Sequence, residues 1–176
     1  MMALVASLIS EYAYVKISNP MVYLNFGLLI SAIAIVRWGF LGTIPYAFAG
    51  IPLLIFRSGD ASLPFQISYY ILANLAIGFS AFTFRFVDKR KIGQSLPHSI
   101  FYLLAAFMSV SLAKGAILSL AGDGFVTATY SYILAELFNL VITIIAFVFV
   151  NRFGKGLIVD MRTYIIDMQK ENPAHD

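Results

Sequence analysis

Thr129, Tyr132, Glu136, Asn139 and Thr143 follow one another at spacings of three, four, three and four residues. On an α-helix that spacing places them on one narrow stripe, within a stretch, 125–150, that is otherwise mostly apolar. Lys114 and Ser111 share a face of a second apolar stretch, and Gln66, Tyr70 and Asn74 recur at spacing four in a third. Together these residues supply a cation, an anion, amide donors and acceptors, and phenol rings. Such a set suits recognition: Lys114 and Glu136 can meet opposite ends of a small polar ligand while Tyr70 and Tyr132 stack on it. A pocket between bundle helices, aromatic with a few convergent polar groups, is the usual form of such a site. The same residues have a structural alternative. Lys114 and Glu136 can instead form a buried ion pair that fixes helix register, helped by interhelical hydrogen bonds from Asn74 and Asn139 worth about 0.6–2 kcal/mol each.

The elements that must position these groups are membrane helices. Uncharged runs cover 17–36, 38–56, 61–84 and 92–113, and a helix of about 20 apolar residues crosses the roughly 30 Å hydrocarbon core. The chain is 60% hydrophobic and 12% charged, with a mean hydropathy of +0.85, whereas a soluble domain is about a quarter charged. No alternating pattern suggests a barrel, so backbone groups in lipid must be satisfied within helices. The fold class expected is an all-α membrane protein.

Ala121-Gly122-Asp123-Gly124 has turn chemistry and separates a fifth helix, starting near Pro97, from a sixth at 125–150. Counting 1–16 as a first span predicts a bundle of six transmembrane helices. Arg37 marks one connection, Arg85, Lys89, Arg90 and Lys91 crowd another, and Arg152 and Lys155 follow the last span. The positive-inside rule makes these connections cytoplasmic, so both termini lie inside and the loops near 19–20, 59–64 and 121–124 face out. The net charge of +3 reflects this topology and not nucleic-acid affinity. The stretch 1–17 lacks a basic region and a cleavage site leading to a soluble domain, and does not read as a signal peptide.

Two domains follow: a transmembrane domain at 1–153 and a cytoplasmic amphipathic tail at 154–176. In the tail, Leu157, Ile158, Met161, Tyr164, Ile165 and Met168 recur at helical spacing, opposite Asp160, Arg162, Asp167 and Lys170. Its apolar face can rest on the inner membrane surface, on a partner, or on the protein's own cytoplasmic side. Tyr12, Tyr14, Tyr23, Tyr69 and Trp38 are expected in the interfacial belt or facing lipid.

No chemistry of catalysis is visible. The chain has no cysteine, no Gly-x-Ser-x-Gly, no His-Glu-x-x-His and no Walker sequence, so no catalytic residues and no cofactor are expected and ATP is not hydrolysed by this chain. His98 and His175 lack partners at metal-ligand spacing, and no metal site is expected.

Six spans in 176 residues, inward termini and polar groups gathered at the outer ends of the later helices resemble the S-component, the substrate-binding membrane subunit of energy-coupling-factor vitamin transporters. Ala3 with Ser7 and Ala6 with Ser10 form small-xxx-small pairs in the first stretch, which let another helix approach closely. By resemblance, that face docks on a transmembrane coupling subunit, and ATPase subunits are further chains. The resemblance also implies a bacterial cell-membrane location and a small water-soluble vitamin as ligand. It places the ligand at positions matching Asn74, Lys114, Tyr132, Glu136 and Asn139. A second resemblance is to MreD-type rod-shape proteins, membrane scaffolds of cell-wall elongation, through length, orientation and the spacing of Gly39, Gly42 and Gly50.

Overall fold

A computed structural model describes residues 26–56 and 61–153, and in the tail 158, 161, 164–166 and 168. The described residues are helical throughout, joined by short turns, with no strand among them. Four helical stretches are long and apolar enough to cross a membrane: Gly27–Ile55, Leu63–Arg85, Leu96–Leu120 and Phe125–Phe153. The first expected span, 1–16, lies outside the described residues, as do Ala3, Ala6, Ser7 and Ser10.

The stretch Gly27–Ile55 is not one rod. Helix α1 (Gly27–Trp38) ends at Gly39, whose φ of 64° lies where L side chains rarely go. A 3₁₀ turn, Gly39–Thr43, then folds back on α1. The fold-back is so close that a Cβ on Gly42 would overlap the backbone of Ala34 and Ile35. Residues seven or eight apart on a straight helix would be separated by more than 10 Å, so the chain reverses here and α2 (Ile44–Phe56) runs back beside α1. The reversal falls beside Arg37, between the expected runs 17–36 and 38–56.

Helix α3 (Leu63–Arg85) is irregular. It changes from α to a π turn over Ser68–Leu72, and after Ala73–Leu75 it tightens to 3₁₀ over Ala76–Arg85. Short helix α4 (Lys89–Gln94) opens on Asp88, whose carboxylate accepts from the Arg90 amide at 2.9 Å. The two long helices α5 (Leu96–Leu120) and α6 (Phe125–Phe153) form an antiparallel hairpin closed by 121–124. They pack closely enough that a Cβ on Gly115 would overlap the Thr129 hydroxyl.

The core joins α1, α3, α5 and α6 around Tyr102, which is fully buried. Its hydroxyl donates to the Ala32 carbonyl at 2.8 Å, and its ring stacks on Phe84 and tilts against Phe147. A phenol among apolar side chains is stable when its O–H has such a partner. Large apolar side chains such as Phe79, Val126, Ile145 and Phe149 point outward, as lipid requires.

In the tail, Ile158 is buried and its carbonyl rests against Gly93, where a Cβ would come within 2.7 Å. Arg37 donates to the Met161 sulfur at 3.4 Å. These two tail residues therefore pack on the protein itself, while Tyr164, Ile165 and Met168 are exposed. Leu157, Asp160, Arg162, Asp167 and Lys170 lie outside the residues described.

Candidate ligand pocket

The polar stripe of α6 faces protein. Thr129, Glu136, Asn139 and Thr143 are all buried and Tyr132 is half-buried. A charged or amide group at bilayer depth is stable only against other polar groups or water, and α5 supplies the partner. Lys114 is 5% exposed and Glu136 8%, and each lies within the electrostatic reach of the other. The Asn139 amide donates to Glu136 Oε2 at 2.7 Å, which orients the carboxylate.

The Lys114 ammonium sits between two aromatic faces, 4.9 Å from the Tyr69 ring centre and 4.8 Å from that of Tyr132. Both distances are within the roughly 6 Å reach of a cation–π contact, which strengthens when water is excluded. Tyr46, from α2, is buried on the same side and shares a side-chain hydrogen bond with Tyr132. Helices α2, α3, α5 and α6 thus all contribute to one polar centre.

Tyr69 and Tyr132 also line a cavity of about 410 Å³ that reaches the α5–α6 turn. Asp123, Thr127 and Ser131 supply its other polar groups. The volume is that of a small-ligand site. The arrangement can hold a compact polar molecule against aromatic faces, with hydroxyls and a carboxylate at the rim and a buried lysine and glutamate behind.

Not every expected residue meets there. Gln66 donates to the Ala61 carbonyl at 2.6 Å and so ties down the start of α3. Asn74 donates to the carbonyls of Tyr46 and Tyr70 at 3.0 and 2.9 Å, bolting α3 to α2, while its buried Oδ1 has no hydrogen-bond partner among the described residues. Tyr70 meets Tyr69 edge-on at 5.1 Å. Tyr69, expected at the membrane belt, is instead half-buried against Lys114. The cause is the π turn at Ser68–Leu72: its i→i+5 hydrogen bonds insert a residue into the helical frame, so spacing four no longer tracks one face. Nothing in the local pattern of Tyr46 marks it as a site residue, and Asp123 reads in the sequence only as part of a turn. Thr127 and Ser131 do stand one helical turn apart on α6, a signal that was present.

A multi-pass helical membrane protein is defined by this fold, with a polar centre between its helices and a cavity at one end. Its structure is similar to that of ThiT from Listeria monocytogenes, with a TM-score of 0.63 at 16% identity, covering 89% of this chain and 92% of that one. At that identity the likeness is one of fold. No protein-family model matches the sequence, and no curated protein matches it.

Proposed function

We propose that this chain is the substrate-binding membrane subunit of an energy-coupling-factor type importer. It takes a small water-soluble vitamin or related metabolite from outside and carries out no chemistry on it. The observation that supports this most is the Lys114 ammonium held against Tyr69 and Tyr132, the two rings that also line the cavity, with Glu136 close by. A pure scaffold gains little from desolvating both charges, since a buried pair is often no more stabilising than an apolar one. Tyr132 and Tyr69 offer rings to the ligand, Lys114 and Glu136 its ionic contacts, and Asn139 orients Glu136, while Gln66, Tyr70 and Asn74, held in bonds at the start of α3, within it and to α2, keep the helices in place.

The chain sits in a bacterial cell membrane with both termini inside and the 121–124 loop outside. A coupling subunit docks on Ala3, Ala6, Ser7 and Ser10, and ATPases in other chains supply the energy. Native mass spectrometry of the protein purified from its host membranes tests this directly. The expected result is a co-purified small metabolite at one per chain, displaced by one member of a panel of water-soluble vitamins. A ligand-free protein that binds none of the panel and co-purifies with cell-wall synthesis proteins would establish the scaffold function instead.

A further inference from the structure

The 3₁₀ segment of α3 builds a second feature, away from the pocket. At three residues per turn, side chains at i and i+3 eclipse one another, so Ala76, Phe79, Phe82 and Arg85 form a straight row along the segment Ala76–Arg85. In an α-helix the same four positions would drift around the axis. The Phe79 and Phe82 rings stack with centroids 6.1 Å apart and planes 13° from parallel. The Arg85 guanidinium lies 5.2 Å from the Phe82 ring centre and continues the row.

Two grooves flank this row on the outer side of the bundle. One, of about 370 Å³, is lined by Phe40, Gly78, Phe79, Ala81, Phe82 and Arg85. The other, of about 310 Å³, is lined by Phe40, Leu72, Leu75, Ala76 and Phe79. They adjoin at Phe40 and Phe79, which line both, and together make an apolar track along the row, with the Arg85 cation lining the first groove. The 10 residues of the 3₁₀ segment rise about 20 Å at ~2.0 Å each, against about 15 Å for one leaflet of the hydrocarbon core.

We propose that this track is a binding site for one anionic phospholipid, its acyl chain along Phe79 and Phe82 and its phosphate on Arg85. In a bilayer every apolar surface is already solvated by lipid, so apolar contact alone selects nothing. Selection comes from Arg85, whose side chain is exposed and whose planar fork matches phosphate oxygens bidentately. Stacking on Phe82 holds that fork at the mouth of the groove.

The test is native mass spectrometry of the full chain from nanodiscs containing equal phosphatidylglycerol and phosphatidylethanolamine. One phosphatidylglycerol is expected to remain bound, with Arg85→Gln reducing its retention about fivefold, the effect of one cation near a lipid surface. Lys91→Gln, an exposed cation outside the groove, leaves retention unchanged. Equal losses in both variants, or no loss in Arg85→Gln, overturn the proposal. A photocrosslinker at Phe79 that captures a protein chain instead of lipid overturns it as well.

Discussion

The side-chain amide of Asn74 reaches the backbone carbonyl of Tyr46 at 3.0 Å, across 28 residues of sequence. The same nitrogen meets the Tyr70 carbonyl within the π turn. One side chain therefore holds α2 against the irregular part of α3, and it fixes where Tyr69 stands relative to Lys114. Asn74→Ala removes both bonds and strands buried acceptors, at about 1–3 kcal/mol, a loss of several degrees in Tm for a chain of this size. Thermal unfolding in detergent reads this, and an unchanged Tm would mean that the amide is not what joins the helices.

Gly50 stands where α2 passes the π turn, and a Cβ there would overlap the Tyr70 carbonyl, which is backbone and cannot rotate aside. Gly50→Ala is expected to be at least as damaging as Asn74→Ala, with loss of folded protein in detergent. Gly39→Ala meets no atom within 4 Å and is strained only by its backbone, φ 64° with ψ −140°, a combination that favours glycine, at about 1–3 kcal/mol. Comparing the monodisperse yield of the two variants by size-exclusion chromatography checks the order.

Lys114 and Glu136 separate a binding site from a structural pair. In the ligand-binding case, Lys114→Met and Glu136→Gln each lose the co-purified molecule while folded protein is still recovered. In the structural case, breaking one partner leaves a buried charge and lowers stability by about 3–5 kcal/mol, and the double variant recovers it. Measuring Tm and retained ligand for the three variants decides between these outcomes.

Topology follows from the placement of basic connections. Reporters fused after Lys91 and after Asn172 are expected to read cytoplasm, and one inserted at Asp123 to read outside. An exterior C-terminus would put the cavity on the wrong side for uptake.

The proposed docking face at Ala3, Ala6, Ser7 and Ser10 depends on the absence of side-chain bulk. Ala6→Leu combined with Ser10→Leu is expected to block close helix approach and to abolish co-purification of the coupling subunit while leaving ligand retention intact. Retention of the partners in the double variant would place the docking face elsewhere.

Sequence by itself determined that the chain is an all-helical membrane protein, because uncharged runs of about 20 residues allow little else. It determined the α5–α6 hairpin, since Asp123 between glycines cannot continue a helix in lipid, and the inward face of the α6 stripe, since Glu136 and Asn139 share one side of a regular helix. Both inferences needed only local periodicity. Tertiary structure decided the rest. The π turn and the 3₁₀ segment of α3 have no sequence signature: the π turn stands where the Gly50 backbone of α2 comes against the Tyr70 carbonyl and Asn74 bonds across the gap, and the 3₁₀ segment where Gly78 packs against Phe40 and Thr43. Those irregular turns rotate Tyr69 toward Lys114 and align Phe79, Phe82 and Arg85 in a row. A helical repeat of 3.6 read along the sequence assumes regular hydrogen bonding. Only packing against a neighbouring helix reveals where that assumption fails.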